Sequence, residues 1–263
     1  MTPNFRHVAT IFAFASLVVP AAVAAERPSA PQVTVTYLAN EGVMIDCSSQ
    51  KVLIDALFGD SLENYVRHST EQQERIETGK APFDGVRLAL ATHYHLDHWD
   101  AGAISRFLNN NPVAVFASTP EATAMLPHGL GERVRALRPK PGSPAQVGAG
   151  AATAQAFRLG HDHTPNLGYR ISICGKTFAH LGDADDSDAS FRTLMRAGQV
   201  DVAMVPFWWF LNPTAAEFLT QRWKPRQMIA IHLATNDGAY AEQLGKKFPQ
   251  VWICTKQGEA RKF

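Results

Sequence analysis

The sequence predicts an α/β protein built as a four-layer αββα sandwich. Three observations lead there. The 263 residues are 46% apolar and 19% charged, which is enough apolar material for a substantial core and excludes a disordered chain. Both halves open with hairpin-spaced strands and then alternate strand with helix. Two similar half-sheets packed face to face, with helices outside, satisfy that pattern in one domain.

The elements follow in order. Met1–His7 carries Arg6 and no acid, Val8–Val19 is almost wholly apolar, Pro20 breaks the run, and Ala22-Val23-Ala24 offers a small-residue cleavage site. This is the pattern of a signal peptide over residues 1–24. The apolar run is short for a membrane span, and no second candidate span follows. Export to the periplasm or medium is therefore expected, with residues 25–263 forming the mature domain. Val33–Leu38, Gly42–Cys47 and Lys51–Ile54 read as strands. Residues 62–80 read as a polar helical insertion. Val86–Thr92 is a strand, Ala101–Asn109 a helix, Val113–Ala117 a strand and Pro120–Met125 a short helix. Pro127–Gly150, rich in Gly, Pro and Arg, reads as a loop or linker. Ala151–Phe157, Gly168–Cys174 and Lys176–Leu181 are strands. Ala184–Ala197, Thr214–Trp223 and Ala239–Lys247 are helices, with strands at Val200–Pro206, Gln227–His232 and Val251–Cys254.

Charge and cysteines narrow the function classes. The formal charge of +1 gives no bulk field for nucleic acid, so no nucleic-acid partner is expected. Cys47, Cys174 and Cys254 each sit in an apolar run. An exported chain could pair two of them and leave one thiol, or all three could be small buried hydrophobes. The sequence leaves the pairing open, as it does the oligomeric state.

The most informative segment is Thr92-His93-Tyr94-His95-Leu96-Asp97-His98-Trp99-Asp100. His93 lies near the end of a buried strand, where α/β proteins build their sites. In extended backbone His93 and His95 point to the same side and can share one metal. Asp97 and His98 follow at once and would swing towards a second position. Imidazole with carboxylate suits zinc and other first-row metals.

The segment His93-x-His95-x-Asp97-His98 after a strand resembles the hallmark of the metallo-β-lactamase superfamily. The resemblance implies that family's αββα fold and further ligands at later strand ends. A third His for the first metal should lie some sixty residues on. His161 and His163 both do, and His163-Thr164-Pro165-Asn166-Leu167-Gly168-Tyr169 resembles the family's His-containing loop, which favours His163. Leu181-Gly182-Asp183 supplies a bridging carboxylate, although an Asp there could also cap a helix. Ile231-His232 supplies the last ligand. By resemblance, His93, His95 and His163 hold one divalent ion, Asp97, His98 and His232 the other, and Asp183 bridges. The ligand set takes zinc most readily, and manganese or iron fit the same donors.

Two such cations acidify a bound water and polarise a carbonyl or phosphoryl oxygen. In the family Asp97 orients the water and returns its proton, which makes it the catalytic residue. The implied activity is hydrolysis of an ester, lactone, amide or phosphoester. The opening strands with Ile54-Asp55 look most like the branch of sugar-phosphate lactonases and N-acyl-phosphatidylethanolamine phospholipases. Two alternatives stand beside it. One is a periplasmic zinc β-lactamase, which in this family has Cys or Ser where Asp183 stands. The other is a metal-binding or sensory module without turnover, against which the full ligand set argues. Phe207-Trp208-Trp209-Phe210 follows a strand whose end should approach the metals. One or two of these rings would line the mouth and favour a small-molecule or lipid-like substrate. His68 reads as surface, and His180 as buried or supporting.

Overall fold

The computed structural model describes residue 1, residues 31–59 and residues 63–263. The expected signal segment, Met1 apart, lies outside the described residues.

The first sheet is built from β1 (Thr34–Ala39), β2 (Gly42–Cys47), β3 (Gln50–Ile54), β4 (Val86–Leu90), β5 (Val115–Ser118) and β6 (Val134–Ala136). The second holds β7 (Ala145–Ala149), β8 (Ala152–Leu159), β9 (Asn166–Ile173), β10 (Lys176–His180), β11 (Val202–Pro206), β12 (Gln227–Ile231) and β13 (Trp252–Ile253). The last strand, β14 (Ala260–Lys262), returns to pair with β1, so the orders are β14-β1-β2-β3-β4-β5-β6 and β13-β12-β11-β10-β9-β8-β7. Each sheet is antiparallel where its chain segment opens and parallel afterwards. The parallel steps need crossover helices, which puts helices on the outer faces.

Strand alternation sets the layers. In β2, Val43, Ile45 and Cys47 point into the core between the sheets, and Met44 points outward. In β12, Ile229 and Ile231 join the same core while Met228 and Ala230 face the outer layer. The outer face of the first sheet is covered by α1 (Thr70–Thr78), α2 (Ala101–Asn110) and α3 (Pro120–Ala124). The second is covered by α4 (Asp188–Ala197), α5 (Trp208–Leu211), α6 (Pro213–Glu217) and α7 (Gly238–Lys247). This is the αββα sandwich the sequence predicts. No helix among the described residues is long and apolar enough to cross a membrane.

Several ties join the sheets, a disulfide and a buried tyrosine among them. Cys47, at the end of β2, is disulfide-bonded to Cys174, in the turn between β9 and β10. The Tyr169 hydroxyl of β9 donates to the Ala91 carbonyl beyond β4 at 2.8 Å. Cys254 is a buried free thiol.

Three sequence expectations change. The segment Pro127–Gly150 is not one loop, because β6 and β7 lie within it as edge strands of the two sheets. Among the described residues of the insertion at 62–80, the helix covers Thr70–Thr78. Ser69 caps it by accepting from Gln72 N, and Gly79 ends it in the left-handed region. Finally, His68 is not a free surface residue. Its ring stacks on Phe58 at 4.4 Å, and its Nε2 lies 3.0 Å from the Ala56 carbonyl. Burial pushes its pKa down to about 4, so it is held neutral as a donor to that carbonyl.

Candidate metal centre

The site forms where both sheets end on the same side. After β4 the backbone turns, with the His98 and Trp99 amides both donating to the His95 carbonyl, and Asp100 caps α2 through Ala103 N. This turn presents His93, His95, Asp97 and His98. The second sheet contributes the residues just beyond β8, β10 and β12. The Leu167 amide donates to the Thr92 carbonyl at 2.9 Å and keeps the two sets in register.

Two groups of donors result. In the first, His93, His95, His161 and Asp183 bring donor atoms within 4.8 Å of one another. In the second, Asp97, His98 and His232 do the same. Asp183 faces both. Its Oδ2 lies 3.7 Å from His93 Nε2 and 3.6 Å from His161 Nε2, and its Oδ1 lies 3.2 Å from His98 Nε2 and 3.2 Å from His232 Nε2. Gly182 makes this possible. It has φ +56°, and a Cβ there would sit 2.5 Å from Asn166 Oδ1 and 2.7 Å from Thr92 Cβ.

Six of the seven ligands expected from the sequence are thus brought together. His163 is not; it is exposed, and His161 takes the place beside His93 and His95. The reason is local. β8 ends at Leu159, a tight turn follows in which Thr164 N donates to His161 O, and Asp162 adopts φ +39°. That turn faces His161 inward and sends His163 to solvent. A positional signal could have found it, because His93 and His232, like His161, follow within three residues of a strand end. Replacing His161 with alanine should therefore remove about one bound ion per chain, whereas His163→Ala should leave metal content unchanged. Metal analysis of the two purified variants decides between them.

Around these donors lies a set of supporting residues, of which the sequence reading named only His180. Asp55, with φ +48° beyond β3, accepts from Thr92 N at 2.7 Å and from Thr92 Oγ1 at 2.8 Å. Its Oδ2 also lies 3.0 Å from His98 Nδ1. Thr92 Oγ1, having given its proton to Asp55, accepts from His93 Nδ1 at 3.0 Å. These contacts put the ring protons of His93 and His98 on Nδ1 and leave Nε2 as a lone pair facing the site. Asn40 Nδ2 donates to Asp97 Oδ2 at 3.1 Å. His180, fully buried, reaches the Glu41 carbonyl with Nε2 at 3.0 Å and accepts from Gly182 N with Nδ1. It thereby ties the β1–β2 turn to the Asp183 turn.

The electrostatics favour cations. Burial would push Asp183 and Asp97 up, but the imidazoles of His98 and His232 outweigh it and hold both carboxylates well below the usual range. The same pairs act in reverse on the rings. Burial would lower His232, yet Asp183 above all lifts it to about 10, and Asp183 with Asp55 lifts His98. Protons are thus drawn to the positions where metal would compete with them. Burial, then Asp183, pushes Glu41 well up.

A metal fits this donor set. His93 Nε2, His98 Nε2, His232 Nε2 and Asp183 Oδ1 are buried and have no hydrogen-bond partner among the described residues. Each such atom costs about 1–3 kcal/mol when left unsatisfied. All four belong to the two groups, and coordination to a cation would satisfy them together.

The mouth of the site is aromatic beside the second group. Trp208 packs edge-on against His232 at 5.2 Å, with its Nε1 donating to the Ala184 carbonyl. Tyr65 meets the same ring edge-on at 4.9 Å. Trp209 and Phe210, in contrast, are core residues.

Comparison with known proteins agrees with this geometry. The sequence profile of the beta-lactamase superfamily domain matches residues 50–237. No curated protein matches the chain by sequence. Among solved structures, Igni18, a metallo hydrolase from the archaeon Ignicoccus hospitalis, superposes with a TM-score of 0.63 at 18% identity, covering 88% of this chain and 98% of its own. An isothiocyanate hydrolase from Delia radicum gut bacteria gives 0.62 at 15% identity, covering 88% and 99%. The diiron β-hydroxylase CmlA of Streptomyces venezuelae gives 0.57 at 13% identity, covering 90% of this chain and 55% of its own.

Proposed function

The chain belongs to the beta-lactamase superfamily, and from that membership we propose that it is an exported, dinuclear metal-dependent hydrolase acting on an ester, lactone, amide or phosphoester. The observation that carries the reading is the set of buried, partnerless imidazole and carboxylate atoms turned into one place. His93, His95 and His161 would hold one ion, Asp97, His98 and His232 the other, with Asp183 between them. Two bound divalent cations would acidify a water and take up negative charge from the substrate's carbonyl or phosphoryl oxygen. Zinc suits the donors best, and the diiron relative in fold makes iron worth assaying.

The protein's own residues supply the rest. Asp97 Oδ2 is engaged by Asn40 and lies 3.4 Å from His98 Nε2 and 3.5 Å from His232 Nε2, which leaves Oδ1 to accept and return a proton. Asp55 and Thr92 fix the orientation of His98 and His93, so little rearrangement is needed on binding. Trp208 and Tyr65 offer an apolar wall to the substrate beside His232, which suits a small-molecule or lipid-like group. Export is supported by the signal-like segment and by the Cys47–Cys174 bond, since such bonds persist in oxidising compartments.

The test is a screen of metal-loaded protein against esters, lactones, phosphodiesters and nitrocefin, with isothiocyanates included because one structural neighbour cleaves them. Turnover of one class is expected, lost on chelation and reduced about 10³-fold in Asp97→Ala. Metal-loaded protein that turns over none of them would favour a binding module instead.

A further inference from the structure

On the outer face of the second sheet, away from the candidate metal centre, β8, α4 and the loop 139–144 enclose a cavity of about 450 Å³. That volume lies within the range of small-molecule sites. Its lining carries Lys140, Arg158 and Arg196 and no acidic residue. None of the three has a carboxylate within 4 Å among the described residues, so their charges are open to an external anion. The three cations line one cavity, and a bound anion there would be attracted to all of them. The guanidinium forks of Arg158 and Arg196 match a carboxylate or sulfonate.

The remaining lining is mixed, with Phe157, Ala197 and three prolines beside the polar Ser143, Gln155 and Thr193. Phe157, on β8, is only half-buried and contributes to the cavity wall. Opposite it the loop closes on itself. Lys140 N donates to Ser143 O at 3.0 Å, and Ser143 N donates back to Lys140 O at 2.9 Å. Pro141 and Gly142, at φ +75°, occupy the centre of that turn, and Pro139 and Pro144 flank it. Proline-fixed walls lose little entropy when a ligand is ordered against them.

We propose that this cavity binds a small organic anion with a flat apolar body. Its acid group lies among Arg158, Arg196 and Lys140, and its body against Phe157 and the proline turn. The site is distinct from the candidate metal centre and does not depend on the hydrolase reading.

Isothermal titration of the full chain with 2-naphthoate tests it, with the neutral 2-naphthalenemethanol as the matched control. Saturable one-to-one binding of the acid is expected, at least about tenfold tighter than the alcohol and weakened by added salt. The double variant Arg158→Ala/Arg196→Ala, altered only at exposed side chains, should melt as the parent does and bind at least about tenfold more weakly. Any of four results would overturn the proposal. One is no saturable binding of the acid at millimolar concentration. Another is equal affinity for acid and alcohol, which marks a merely greasy groove. A third is undiminished binding by the double variant, which places the acid elsewhere, for instance at the metal centre. The fourth is acetate binding as tightly as naphthoate, which would reduce the site to a patch of charge.

Discussion

Asp183→Asn should cut kcat/KM by at least about 10³-fold, equivalent to about 4 kcal/mol of transition-state stabilisation, and lower metal content from about two ions per chain towards one. The residue is the single anion that both donor groups share. Its Oδ2 faces His93 and His161 while its Oδ1 faces His98 and His232, all within 3.7 Å. Asparagine keeps the shape but removes the charge, and its amide turns N–H groups towards at least one pair of imidazoles. The turn itself is held by the close approach of Gly182 to Asn166 and Thr92, so the variant should keep its backbone. Metal analysis and steady-state kinetics on the folded variant check this together. An Asn variant that keeps full metal content and activity would mean that the Asp183 charge is not what the two donor groups share.

The second large effect concerns stability. Reducing the Cys47–Cys174 bond, or replacing both residues by alanine, should cost about 4–5 kcal/mol and lower the melting temperature by roughly 10 °C. The partners are 127 residues apart, so the bond removes a long closed loop's worth of freedom from the unfolded chain. Both side chains sit in or against the core between the sheets, so the change also leaves a small gap there. Thermal unfolding with and without reductant measures it. An unchanged transition would show that packing alone holds the sheets and that the bond contributes little.

Much of this was legible in sequence because it is local. The segment His93–His98 carries its own geometry, since a strand end and a tight turn are enough to aim four side chains. Asp183 and His232 were legible only through the family resemblance, which places further ligands just beyond later strands. What escaped was whatever depends on distant partners. Asp55 acts on Thr92 and His98, 37 and 43 residues away, and Asn40 acts on Asp97 across 57. Nothing in the residues around Asp55 or Asn40 announces those contacts. His161 lost to His163 in the sequence reading because a turn of a few residues decides which ring faces inward. The edge strands β6 and β14 escaped because they are three residues long and largely exposed, and β7 because its alternation of Ala145, Val147 and Ala149 is weakly apolar and flanked by Gly and Pro. His68 looked like surface because its stacking partner Phe58 and its Ala56 acceptor lie across a bend.

The donors divide across the seam between the sheets. The first group takes His93 and His95 from one sheet and His161 and Asp183 from the other, and the second takes Asp97 and His98 from one and His232 from the other. Neither half of the chain therefore holds a complete set for either ion. An ion held by either group would therefore find its full cage only after the two halves have docked, and its binding would stabilise their docking rather than either half alone.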